Sequence, residues 1–189
     1  ESRLDNLTST LAPEHVTPLR EQLDIIHSQL ERTLQRARLA PEQQRAERFQ
    51  AERDMHALIA TFKSLYNEID ISVDGVGELS WPYDREDMQE LLGNLIDNAC
   101  KWSKGQVQVG WKLNSEGLYL QIADDGPGIA PREREEVLNR GTRLDRQVPG
   151  HGLGLGIVTD LVSAYAGSLQ LSEATLGGLL VEVWLPLRT

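Results

Sequence analysis

The sequence predicts an α+β domain, a two-layer sandwich in which a mixed sheet carries helices on one face, preceded by one long helix. Three observations lead there. From residue 49 onward, apolar residues recur at helical steps of three and four in some segments and at strand-like steps of two in others. The two kinds of segment are interleaved along the chain, and two pairs of strands are joined by hairpin-type turns. Residues 18–40 differ in character, with a narrow apolar stripe between charged flanks.

That stripe is Leu19, Leu23, Ile26, Leu30, Leu34 and Ala37, interleaved with Arg20, Glu21, Asp24, Glu31, Arg32, Arg36 and Arg38. It suits a coiled coil or bundle helix, the alternative being a helix packed on its own globular domain. The run "APEQQRAER" reads as a linker, so the chain divides into residues 1–40, a linker over 41–48 and a compact domain over 49–189. In that domain Met55, Leu58, Ile59, Phe62 and Leu65 mark a helix, and "IDISVDG" alternates like a strand. "REDMQELLGNLIDNACKW" is helical, with Met88, Leu91, Leu92, Leu95, Ile96 and Ala99 facing inward. "VQVGWKL" and "LYLQIAD" form a hairpin about residues 114–117, and residues 126–149 read as a long irregular stretch. "IVTDLVSAYA" is a further helix with Gly167 as its C-cap. "SLQLSEA" and "LLVEVWLPL" close the domain as a hairpin about Gly177 and Gly178.

Composition narrows the function. The formal net charge of the 189 residues is −10. A protein so acidic lacks the basic face that a phosphate backbone requires, which argues against nucleic acid as a partner. Any anionic ligand needs local basic groups or a metal. The lone cysteine, Cys100, permits no internal disulfide and suits a reducing compartment. No apolar run reaches the length of a membrane span; residues 176–187 come nearest and are interrupted by Glu182. The opening "ESRLDNLTSTL" reads as the end of a helix, as in a piece of a longer protein.

Three stretches carry chemistry. In "GHGLGLGI", Gly150, Gly152, Gly154 and Gly156 stand just before a helix. Glycines let backbone N–H groups turn toward a ligand, and a helix N-terminus adds unpaired donors, which together make a phosphate cradle. A dinucleotide fingerprint counted from Gly150 would need glycine where Leu155 stands, and a P-loop would need a lysine that is absent. In "DDGPGI", Asp124 ends a strand and is followed by Gly126 and Gly128. A carboxylate there can accept a hydrogen bond from the exocyclic amine of adenine, whereas the guanine oxygen would be repelled. Alone, this would be an ordinary Asp-Gly turn. In "NLIDNACKW", Asn94 and Asn98 share one helix face and Lys101 follows within a turn. An amide oxygen suits Mg²⁺, and a lysine suits phosphate.

Taken in order, "NLIDNACK", "DDGPGI" and "GHGLGLGI" resemble the N, G1 and G2 boxes of the ATP-binding domain of sensor histidine kinases, of the Bergerat-fold group that includes DNA gyrase, Hsp90 and the MutL proteins. The neighbourhoods "LGNLIDNACKW", "NRGTRLD" and "LGGLLVEV" are most similar to the PhoQ subfamily. The resemblance runs from about residue 49 to the end. It implies ATP and Mg²⁺ as cofactors, with Asn98 as the metal ligand. It places Asn94 and Lys101 by the phosphates, Trp102 beside the nucleotide in a position usually tyrosine, and Asp124 on the adenine. Gly126, Gly128 and Ile129 complete the G1 contact. Gly150, His151, Gly152, Leu153, Gly154 and Leu155 hold phosphates and close a lid.

The lid, about residues 130–149, carries Arg132, Arg134, Arg140, Arg143 and Arg146. The resemblance favours Arg143 as a triphosphate contact, beside Arg140, and makes Asn94, Lys101 and Arg143 the catalytic set. The basic residue usual before the Pro-Gly of the G2 box is replaced by Val148, which leaves that place to Arg146 or to a looser lid. The usual phenylalanine before the lid is also missing, with Val137 or Leu138 nearest.

ATPases of the same group carry a general-base glutamate where this chain has Asn94. An amide cannot take a proton from water, so transfer is favoured over hydrolysis. Glu90, one turn further back, is poorly placed to substitute. None of His15, His27, His56 and His151 has the family acceptor's neighbours, an acidic residue directly after and a proline five on. The acceptor is therefore expected upstream of residue 1. The full protein is expected to be a homodimer through a helical hairpin, to sit in the bacterial inner membrane with this part cytoplasmic, and to pass its phosphoryl group to a response-regulator receiver domain. The alternatives are a Bergerat-fold ATPase, an anti-sigma-type serine kinase and a nucleotide-binding pseudo-kinase scaffold.

Overall fold

The structure, a computed structural model, describes residues 47–78, 80–140 and 154–187. The helix expected over residues 18–40 and most of the expected linker lie outside the described residues. A short strand β1 (Arg48–Gln50) leads into helix α1 (Ala51–Leu65). Strands β2 (Asp70–Val76) and β3 (Ser80–Asp84) precede the long helix α2 (Arg85–Trp102), and β4 (Gln106–Leu113) and β5 (Gly117–Asp124) follow it. Helices α3 (Pro131–Arg140) and α4 (Gly154–Ala164) precede β6 (Ser168–Glu173) and β7 (Leu179–Pro186).

Five strands form one mixed sheet in the order β2-β4-β5-β7-β6; β2 and β4 are parallel and the other neighbours antiparallel. The period-2 pattern decides which face is covered. Val107, Val109, Leu113, Leu118, Leu120, Ile122, Val181, Val183 and Leu185 are buried, while Gln108, Lys112, Tyr119 and Gln121 are exposed. Helices α1, α2 and α4 complete the core on the apolar side, as the sequence predicts. Sequence reading missed β1 and β3, which pair as a separate two-stranded ribbon. The ribbon is held by aromatics: Phe49 stacks on Trp81 at 4.7 Å between ring centroids, and Trp111 meets Trp81 edge-on at 5.9 Å.

Helix α2 has the residues to begin and bury itself. Asp84 is its N-cap, with Oδ1 accepting from the N–H groups of Glu86 (2.9 Å) and Asp87 (3.1 Å). Met88, Leu91, Leu92, Leu95, Ile96, Ala99 and Cys100 are all buried. Each of its leucines contributes about 1.5–3 kcal/mol by leaving water. The other face keeps Asn94 and Asn98 half-buried.

Two local expectations are corrected. The stretch 126–149, read as irregular, contains α3. Its Glu- and Arg-rich composition conceals it, because only Val137 among its side chains is fully buried among the described residues. The C-terminus of α4 is not closed by a left-handed glycine: Ala166 takes that conformation (φ 55°), and Gly167 N–H bonds to the Val162 carbonyl at 2.9 Å. Gly167 is small for another reason, since a Cβ there would lie 2.3 Å from the carbonyl oxygen of Trp184.

A charged network anchors the start of the domain to α2. Asp54, 1% exposed, accepts from Gln50 N–H (2.8 Å), Arg53 Nε (2.9 Å) and Arg85 Nε (3.1 Å). Glu47 holds both arginines from the outside. Burial alone would raise the Asp54 carboxyl, but the Arg53 hydrogen bond, the Gln50 amide and the Arg85 charge together hold it below its ordinary value. A lowered folded-state value makes this stabilisation complete above the ordinary carboxylate range and lost as pH falls through the folded-state value. Asp54→Ala is expected to cost about 1–3 kcal/mol by urea denaturation at neutral pH, with Asp54→Asn recovering part through the Gln50 amide. The difference between wild type and Asp54→Ala is expected to shrink in acid.

Candidate nucleotide-binding site

The described part of the site is arranged along α2. Asn94, Asn98 and Trp102 stand at i, i+4 and i+8, so they share a face over ~12 Å of helix. At the Asn94 end the first turn of α4 comes close. A Cβ on Gly154 would lie 3.2 Å from Asn94 Oδ1. The Asn94 amide nitrogen donates to the Glu90 carbonyl at 2.7 Å, which leaves Oδ1 as the atom facing α4. Gly154 and Leu155 thus open a helix whose N-terminal donors lie beside the asparagine face.

At the other end, Trp102 meets the loop after β5. A Cβ on Gly126 would lie 2.3 Å from the Trp102 carbonyl oxygen and 2.8 Å from Asp124 Oδ1. Gly128 has φ +67°, and the Ile129 carbonyl accepts from Arg134 Nε at 2.9 Å, tying the loop to α3. The glycines of "DDGPGI" therefore have packing duties of their own, apart from any donor role.

Asp124 is 3% exposed. Its Oδ1 accepts from Gly126 N–H at 2.8 Å and from Leu179 N–H at 3.1 Å. Among the described residues no donor reaches Oδ2, which remains a free acceptor. Burial pushes the Asp124 carboxyl above its ordinary value, with Asp125 adding to the rise and the two amides opposing it. Its neighbour Asp125 has a different task, accepting from Lys104 N–H (2.7 Å) and Gly105 N–H (3.1 Å) to close the α2–β4 turn.

Lys101 is placed differently from the expectation that it faces phosphates: its ammonium is ion-paired with Asp97 on its own helix. The other oxygen of Asp97 accepts from Tyr66 OH at 2.7 Å. Arg140 ends α3, while Arg143, Gly150, His151, Gly152 and Leu153 lie outside the described residues, as do Arg146 and Val148. Among the described residues, no three His, Cys, Asp or Glu side chains cluster as a metal site.

Sequence reading missed the part played by the β6–β7 hairpin. Gly177 carries the turn's positive φ (+96°), which leaves the second glycine unexplained by the turn itself. Gly178 packs on Asp124: a Cβ there would lie 2.2 Å from Oδ1 and 2.5 Å from the Asp124 carbonyl. A doubled glycine where one suffices was the available signal.

A helix-backed mixed sheet with an asparagine-bearing helix and a buried carboxylate before a glycine turn defines an ATP-binding domain of the kind that serves kinases and ATPases. The chain belongs to the family described as "Histidine kinase-, DNA gyrase B-, and HSP90-like ATPase", which matches residues 83–189. It is similar to the sensor protein kinase CarS of Pseudomonas aeruginosa, 44% identical over 93% of this chain and 40% of that protein. It is also similar to the sensor protein PhoQ of Escherichia coli, 37% identical over 61% of this chain and 24% of that protein. The chain thus spans less than half the length of these curated relatives. Among solved structures, a mycobacterial sensor histidine kinase, MprB, superposes with a TM-score of 0.62 at 29% identity, over 75% of this chain and 97% of that one. The chain is therefore an ATP-binding catalytic domain of the sensor-histidine-kinase type. No helix among the described residues is long and apolar enough to cross a membrane.

Because the folded protein raises the Asp124 carboxyl, ionisation of that group costs stability above its unfolded-state value. Asp124→Asn keeps an oxygen for both backbone amides and removes the charge. It is expected to melt at the same temperature as wild type or higher at neutral pH, with the advantage shrinking as the pH is lowered through the range where Asp124 takes up its proton. A fall of several degrees at neutral pH would contradict the hydrogen-bond assignment.

Proposed function

We propose that this chain is the ATP-binding catalytic region of a two-component sensor histidine kinase, which transfers the γ-phosphoryl group of Mg-ATP to a histidine and thence to an aspartate of a response-regulator receiver domain. One observation carries the reading. A buried carboxylate with a free acceptor oxygen stands by the C-terminal end of α2, and Asn94 stands about two turns back along the same helix, where a hydrolase needs a base. ATP supplies the phosphoryl group; this chain's residues bind and orient it. Asp124 would accept from the adenine amine, with Trp102 beside the nucleotide. Gly126, Gly128 and Ile129 shape the purine end. Asn94 and the first turn of α4 would face the phosphates, with Gly150–Leu155, Arg140 and Arg143 closing over them. Lys101 would reach a phosphate by leaving Asp97.

Magnesium is assigned to Asn98, whose amide oxygen would join phosphate oxygens and water, since Mg²⁺ keeps several waters and needs few protein ligands. The Asn94 amide cannot accept a proton from water, which supports phosphoryl transfer over hydrolysis. For the full-length protein we propose a homodimer through a helical hairpin and a place in the bacterial inner membrane, with this region cytoplasmic; the likeness to sensor kinases supports both.

Asn98→Ala is expected to lower ATP affinity at least about ten-fold in the presence of Mg²⁺ and much less in its absence, measured by calorimetry with and without the metal. Equal losses in both conditions would remove Asn98 from the metal. Incubated with γ-labelled ATP, the present chain is expected to bind nucleotide and take up no acid-labile phosphate, because transfer needs a positioned nucleophile and none of its histidines has the acceptor's neighbours. Acid-labile label mapped to His15 or His27 would place the acceptor in this chain.

A further inference from the structure

The β6–β7 hairpin is remote in sequence from the three sequence boxes, yet it packs directly on Asp124. Gly178 lies against the carboxylate so tightly that a Cβ would stand 2.2 Å from Oδ1, 2.5 Å from the Asp124 carbonyl and 2.5 Å from Gly126 N. The next residue, Leu179, donates its N–H to the same Oδ1 at 3.1 Å, across 55 residues of sequence. Gly126 donates the second N–H at 2.8 Å. Two backbone donors on one oxygen can be satisfied only by an acceptor. Rotating the group by half a turn would therefore be neutral for a carboxylate but forbidden for an amide, whose NH₂ would face two N–H groups.

We propose that Gly178 and the Leu179 N–H are the purine-specificity device of this site: they pin Asp124 so that Oδ2 alone, as an acceptor, meets the base. The inference rests on the reading that Asp124 receives adenine. Its consequence is chemical. Adenine presents an N6–H₂ donor at this edge, and hypoxanthine presents an O6 acceptor. In Asp124→Asn the pin would force the amide oxygen into the Oδ1 position and the NH₂ into the Oδ2 position. The site would then offer a donor and select the 6-oxo purine. An unpinned asparagine would simply turn over and continue to accept from adenine.

Gly178 and Leu179 are positioning residues, acting through Asp124, so the readout is the ratio of two affinities and not affinity alone. Wild type, Asp124→Asn, Gly178→Ala and Gly110→Ala are titrated calorimetrically with ATP and with inosine triphosphate, after a circular-dichroism check of folding. Wild type is expected to prefer ATP by about ten-fold or more. Asp124→Asn is expected to invert that preference. Gly178→Ala, whose new methyl displaces the carboxylate, is expected to lose most of it. Gly110→Ala in β4, whose Cβ would meet nothing nearer than 3.7 Å, is expected to keep it. A folded Asp124→Asn that still prefers ATP, or that weakens both nucleotides equally, overturns the pin while leaving the ATP-binding reading in place. Failure of the wild type to prefer ATP overturns the reading beneath it as well.

Discussion

Helix α2 has to satisfy two demands at once, and the domain is arranged around how it does so. One side must be apolar enough to cover the sheet, and seven of its residues are buried there. The other side must keep amides half-exposed along a single line. The spacing of four between Asn94, Asn98 and Trp102 meets the second demand without disturbing the first, because an apolar step of three or four leaves a face free. Everything else in the site is brought to that line: the start of α4 to Asn94, the loop after β5 to Trp102. The Asp84 cap and the Asp54 network hold the N-terminal half of the helix in place from outside the site.

Close backbone approach is the second constraint. Where the loop after β5 meets the end of α2, and where the β6–β7 turn meets Asp124, the chains come nearer than any Cβ would permit. These contacts bury the Asp124 carboxylate with one oxygen committed to backbone amides. Burial raises the carboxyl and the amides oppose the rise, so the group is held ionisable within a core that would otherwise reject it. The geometry thus converts an ordinary Asp-Gly turn into a directed acceptor.

Much of this was legible in the sequence, and the reasons for the rest are physical. Helix α2 could be read because its apolar period is strong over eighteen residues, and the two long hairpins because their alternation is. Asp124 and the asparagines stood out because polar residues in or beside apolar runs need a reason. Strands β1 and β3 were missed because three and five residues give too little periodicity, and their stability comes from the Phe49–Trp81–Trp111 contacts. Helix α3 was missed because six of its ten residues are charged, which leaves no apolar period to read. The Lys101–Asp97 pair stands at i, i+4 on one helix and was open to a local reading, whereas the contact of Gly178 with Asp124 joins residues distant in sequence, which local patterns do not encode.

In the proposed arrangement a nucleotide lies along α2 with its base at Asp124 and its phosphates toward Asn94. This is tested most directly by amide chemical-shift mapping of the isotope-labelled chain with a non-hydrolysable ATP analogue in the presence of Mg²⁺, run beside adenosine in the same buffer. Shifts are expected at Gly126, Gly128 and Leu179 with both ligands. Shifts at Asn94, Asn98 and Gly154 are expected only with the triphosphate. Shifts confined to other surfaces, or a reversal of the two groups, would contradict it.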